Sequence, residues 1–452
     1  MFASLTLLVA ASTLSATYQS SITIFSDYNY SNTTSPLTLT SDQNGDQLIV
    51  KNCTFTNCSN IQTQGGAISS SISNGVIVLM SNSSFINCYS TKDGGAIWMQ
   101  VGSGSIISIE DCIMTKCYSI KNGGSLFILI LSTDTHSKVE LVNIQMTNCS
   151  SQWYGGGIYA ETNDNSTLSL IGEFLFDNCS SINSDYYGGG IYVYQKQPMH
   201  SIQMQGNFTF RNCTSRSYGG GIYMITYYQK PITINSTFLF QNCRSSNGGG
   251  LRLTYQGDGD LTQLAGNFTF QNCSAQSYGG GMQIQSTPSI ILEIDDFTFK
   301  DCSGNQGGGI FLSLMNNSKL IINGGHFNNS SASMQGGGIF AQFSSNSELI
   351  LNNSCEFNQC SCNGSGGAIY IIINYSRPFL FIINNTLIQE CRALYNSQYS
   401  HFQSGFGGGI FISGSGDYDS STKRFDFKGM RIFGNGAEYG GKSLNSSQFY
   451  NI

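Results

Sequence analysis

The chain has 452 residues and a net charge of −6, with 53 Gly, 29 Phe, 24 Tyr, 15 Cys and only 5 Pro. So much apolar and aromatic material excludes a disordered chain, and the lack of any Lys/Arg block argues against nucleic acid or an anionic membrane as partner. The length suggests about three ordinary domains, an inference that lapses once a repeat of roughly 20 to 50 residues is present.

Residues 1–16, M-F-A-S-L-T-L-L-V-A-A-S-T-L-S-A, combine an apolar centre at Leu5–Ala11 with small residues at Thr13, Ser15 and Ala16. The pattern predicts a secretory signal peptide, the other reading being a buried first strand, and so a secreted or cell-surface protein. Residues 17–50 are less regular and are expected to cap the repeats that begin at residue 51. Sequons at Asn29, Asn32, Asn82, Asn165, Asn207, Asn235, Asn267, Asn316, Asn374, Asn384 and Asn445 predict N-glycans. No later apolar run approaches the roughly 18 residues of a membrane-spanning helix.

From residue 51 to 444 one pattern returns. F-R-N-C-T-S-R-S-Y-G-G-G-I-Y at Phe210–Tyr223 recurs as F-Q-N-C-S-A-Q-S-Y-G-G-G-M from Phe270 and as F-D-N-C-S-S from Phe176. Its anchors are Cys58, Cys88, Cys117, Cys149, Cys179, Cys213, Cys243, Cys273, Cys302, Ser330, Cys360 and Cys391, mostly close to 30 residues apart, with a decayed copy at Gly436. Segments such as F-T-F at Phe208–Phe210 and K-L-I-I-N at Lys319 alternate apolar and polar residues, which argues for strands. Glycine triplets in a helix would cost about 1 kcal/mol per residue relative to Ala.

A unit of this size holds about three short strands and cannot bury its apolar face alone, but it stacks on its own copies. The predicted fold is therefore all-β: a right-handed parallel β-helix of about 13 coils rising roughly 4.8 Å each. Columns of Phe (Phe55 to Phe357) and Ile (Ile68 to Ile410) should fill the interior. The Asn before each Cys suits a tight turn and an Asn ladder, and the first two glycines suit positive φ or close backbone approach. Residues 445–452 are left as a tail.

The tetrapeptide G-G-A-I at Gly65–Ile68, Gly94–Ile97 and Gly366–Ile369, in register with the F-x-x-N-like anchors, resembles the polymorphic membrane protein repeats of chlamydial outer-membrane and protist surface proteins. The resemblance covers about Lys51 to Leu444. It implies a right-handed β-helix displayed at the cell surface and often engaged in adhesion. Two departures stand: Cys replaces the family's fourth-position Asn, and no autotransporter barrel follows before Ile452.

Three constellations compete for function. The aromatics after the interior Ile (Trp98, Phe127, Tyr159, Tyr192, Tyr223, Phe311, Phe340, Tyr370 and Phe411) should point outward by strand alternation. They form a ligand-binding stripe if exposed, or packing if loops cover them. The cysteines lack zinc-like spacing, so no metal or other cofactor is expected. They form a buried thiol column or sporadic disulfides, the best local pairs being Cys53 with Cys58, Cys112 with Cys117 and Cys355 with Cys360. Asp295 and Asp296, with His326 about one coil later, are the best candidates for general acid–base work on a polysaccharide. Asp258-Gly259-Asp260 reads as a turn or weak calcium loop, and G-G-K-S at Gly440–Ser443 lacks the first glycine of a phosphate loop and is a chance match. The favoured reading is a non-catalytic, adhesin-like or structural protein that meets a glycan or protein of another surface, the alternative being a carbohydrate-active enzyme.

Overall fold

Each repeat folds into one turn of a parallel β-helix. The computed structural model describes residues 20–446 except 132–134, 164–165, 197–200, 228–232, 258–261, 288 and 398–403. The expected signal peptide, Asn165, the Asp258–Asp260 cluster and most of the tail lie outside these residues.

Among the described residues three sheets run along the rod, of 24, 14 and 13 strands. All pairings are parallel, and each strand bonds to its counterpart one coil away, as Tyr192 does to Tyr223 and Phe210 to Phe240. In most coils the first sheet receives two short strands with a bend between them, such as Gln47–Lys51 and Thr54–Thr56. In the middle of the rod these fuse into one, such as Ser201–Arg211. The third sheet takes the short strands after the cysteines, such as Thr214–Ser215, and the second takes those after the glycines, such as Ile222–Thr226. Of residues 17–50, expected as a cap, those described, 20–50, contribute a coil in register: Ile22–Ser26 pairs with Gln47–Lys51, and Leu37–Ser41 with Ile68–Ile72.

Stacked rings fill the interior. Phe176, Phe210, Phe240 and Phe270 are parallel at centroid spacings of 4.8, 5.0 and 4.8 Å. A second column, Phe174, Phe208, Phe238, Phe268 and Phe297, stands beside it at 4.5–4.8 Å. The coil spacing thus sets the ring spacing, within the range of offset stacking.

The turn chemistry follows the sequence. Asn57, Asn87, Asn148, Asn178, Asn212, Asn242 and Asn272 all adopt φ between 51° and 56°. Their amides form the expected ladder, Asn272 Nδ2 donating to Asn242 Oδ1 at 2.7 Å and Asn242 Nδ2 to Asn212 Oδ1 at 3.2 Å. Gly219 has φ +62°, and a Cβ on Gly220 would run into the carbonyl of Gly249 in the next coil. A Cβ on Gly221 would instead meet the Phe240 ring. A side chain can shift where backbone cannot, so this third position accepts Ala67, Ala96 and Ala368 elsewhere in the rod.

All fifteen cysteines are buried free thiols. Each anchor thiol donates to a backbone carbonyl one coil earlier, Cys213 Sγ to Phe176 O at 3.3 Å and Cys273 Sγ to Phe240 O at 3.3 Å. The three candidate disulfides are therefore corrected. Cys53, Cys112 and Cys355 stand two residues before the inward ring or methionine, in the column that Phe174–Phe297 fill mid-rod, while Cys58, Cys117 and Cys360 belong to the anchor column. Phe55, Met114 and Phe357, all fully buried, lie between the members of each pair.

Candidate functional site: a lateral groove on the third sheet

The outward aromatic stripe exists as a stack but not as an exposed surface. Phe127 and Tyr159 are parallel at 4.8 Å, and Phe311, Phe340 and Tyr370 follow at 5.1 and 5.4 Å. Yet Tyr159, Tyr192, Tyr223, Phe311, Phe340, Tyr370 and Phe411 are each no more than 7% exposed, and Trp98 is half-buried. A second tier of tyrosines covers the first half of the stripe: Tyr154 lies 4.9 Å from Tyr192, and Tyr187 and Tyr218 pack edge-on against Tyr223. Burial pushes the Tyr159 and Tyr192 hydroxyls well above the ordinary tyrosine range. The stripe is packing between a sheet and the segment before its glycines.

Two polar residues interrupt it. Arg252 and Gln283 occupy the register between Tyr223 and Phe311. Arg252 is 7% exposed, its guanidinium 3.7 Å from the Tyr218 ring centre. It donates to Gln285 Oε1 at 2.9 Å and Thr254 Oγ1 at 3.3 Å, and burial lowers its pKa.

The carboxylate candidates sit on the first sheet, each tied into its ladder. Asp296 has φ 51° at the bend of that sheet, where Asn82, Asp111 and Asn143 adopt the same conformation one to a coil, so its position has a backbone role. Asp295 accepts from Asn323 Nδ2 at 2.8 Å, and His326 Nδ1 lies 3.4 Å from Glu356 Oε2, its partner in the ladder. Among the described residues no group of three or more His, Cys, Asp and Glu is arranged to hold a metal ion.

The concave, chemically rich face is the third sheet. Its strands are two to five residues long and carry no apolar alternation, so nothing in their sequence pattern marks them. Ladder pairing places Tyr89, Tyr118, Ser150, Ser180, Thr214, Arg244 and Ser274 in one outward column, a coil apart. The residues one position on, Ser90, Ser119, Ser151, Ser181, Ser215 and Ser245, turn inward and are buried. Around the outward column lies an open groove of about 890 Å³, lined by Ser180, Ser184, Thr214, Arg216, Arg244 and Gln276 among others. Smaller hollows adjoin it. One holds the Asn ladder with Thr214 and Arg244, and the other runs on past Ser303 and Ser331 to Ser361.

Aromatic pairs flank the groove toward the N-terminus. Tyr89 and Tyr118 are stacked at 5.7 Å, and Gln152 Nε2 donates to the Tyr118 hydroxyl at 2.8 Å. Trp153 and Tyr186 are stacked at 5.5 Å, with Lys121 Nζ 5.4 Å from the Trp153 ring. All four rings are only half-buried, unlike the stripe of the second sheet. The face therefore offers hydroxyls, amides and two guanidinium groups at a constant rise beside flat apolar platforms. No protein-family model matches the chain, and neither does any curated protein or solved structure.

Proposed function

We propose that the chain is a secreted or surface-displayed, non-catalytic β-helix protein of the polymorphic membrane protein repeat type, and that the third-sheet groove holds an extended glycan along the rod. One observation carries the reading: hydrogen-bonding side chains recur once per coil along an open groove whose lining contains no Asp or Glu. A periodic row of donors and acceptors suits a polymer of repeating polar units, and half-exposed rings suit the apolar faces of sugars. Paired carboxylates, which hydrolysis of a glycosidic bond ordinarily requires, are not among those lining residues. The sequon asparagines 29, 32, 82, 207, 235, 267, 316 and 374 are exposed, as glycan acceptors must be.

Light scattering on chromatographed mixtures of the chain with cell-surface and plant polysaccharides tests this. Co-elution at unchanged polymer mass is expected. A fall in polymer mass that disappears in Asp296→Asn would make the protein an enzyme and overturn the proposal.

A further inference from the structure

We infer that the polymer taken by the third-sheet groove is acidic, with its carboxylate or sulfate groups held by Arg216 and Arg244. The inference rests on the reading of this groove as a glycan site and adds the charge of the ligand.

Arg244 stands in the outward column between Thr214 and Ser274. Arg216 follows in the turn of the coil before, tied to the Arg244 coil by the Ser246 hydroxyl donating to its carbonyl. Both side chains are exposed and both line the groove. Neither takes part in any of the ion pairs among the described residues. The nearby acids lie outside the lining: Asp177 is the ladder partner of Arg211, and Asp185 follows Ser184 at the rim. A chain of net charge −6 thus presents a groove of the opposite sign.

The chemistry favours an oxyanion. A guanidinium presents a planar fork of donors that matches carboxylate and sulfate oxygens, and charge-assisted hydrogen bonds are about twice as strong as neutral ones. The flanking Ser, Thr, Asn and Gln side chains serve the neutral hydroxyls between the charged groups. The negative charge elsewhere on the rod repels a polyanion, which confines it to this face.

Affinity electrophoresis of the full chain in gels containing polygalacturonate, dextran sulfate or plain dextran tests the inference, with R216Q/R244Q and the control R392Q alongside. Arg392 is an exposed arginine of the same sheet outside the lining of these hollows. Retardation by an acidic polymer is expected, weakened about tenfold or more in R216Q/R244Q, unchanged in R392Q and reduced by added salt. Whichever acidic polymer retards the chain identifies the group as carboxylate or sulfate. Equal retardation by dextran overturns the inference and leaves the groove reading in place. Full retention of acid binding by R216Q/R244Q overturns it too. Retardation by none of the three also overturns it, whereas the groove reading falls only if the wider polysaccharide panel fails to co-elute as well.

Discussion

The guanidinium of Arg252 lies 3.7 Å from the ring centre of Tyr218, in a column where Tyr223 precedes it and Gln283 follows. The contact compensates a buried charge with a ring face and two neutral acceptors, with no carboxylate partner among the described residues. Such contacts contribute about 0.5–2 kcal/mol when desolvated. Removing Tyr218 alone leaves the charge poorly compensated. Tyr218→Ala should therefore lower the urea midpoint more in the native background than in Arg252→Met. A double-mutant cycle should give a coupling of about 0.5–2 kcal/mol. Strict additivity would contradict this account of the contact.

The turn column makes a sharper demand. Asn212 has φ 51°, where a Cβ costs about 1–2 kcal/mol unless a short polar side chain offsets it locally. Asn212→Ala should destabilise by about that amount, and Asn212→Gly should recover the backbone part while still losing the bond to Asn242. Chemical denaturation of the two variants checks the order; equal loss would show that the ladder bond, not φ, governs the position.

Much of the rod is legible in the sequence. The Asn, the first two glycines and the Phe column each answer a local steric requirement repeated once per coil, so repetition exposes them. Strand alternation gives the outward direction of the aromatic stripe but not its burial. The covering residues, Tyr154, Tyr187 and Tyr218, are visible as the Tyr before G-G-G, yet only the turn geometry folds that residue over Tyr192 or Tyr223 of the stripe. The groove is illegible for a different reason. Ser180, Thr214 and Arg244 belong to strands of two to four residues, too short to show a period, and their polarity resembles that of a loop.

The thiol column predicts a chemical count. With every cysteine buried and free, a thiol-specific reagent should find none in the native chain and 15 after denaturation without reductant. A count below 15 in denaturant would reveal disulfides and contradict the packing of the column.

Those thiols also set an alkaline limit. Burial pushes Cys112 and Cys362 up to about 12 from an ordinary value of 9.0. The folded pKa being raised, the stabilisation is full below pH 9.0 and is lost as pH rises toward about 12, because the unfolded thiol ionises first. Each such thiol should contribute a loss of about 1.4 kcal/mol per pH unit above its unfolded pKa. Urea midpoints measured at about pH 8 and about pH 10 should fall between the two, and less steeply in Cys362→Ala; an unchanged slope would show that this thiol is not held protonated by burial.

The most direct test of the central claim is to obstruct the groove without touching the core. Thr214→Trp places a ring in the outward column of the third sheet, and Ser108→Trp places one on the outer face of the first. With both variants folded, polysaccharide co-elution should be lost in Thr214→Trp and kept in Ser108→Trp. Co-elution that survives Thr214→Trp, or is lost equally in both, would contradict the assignment of the third-sheet groove as the binding face.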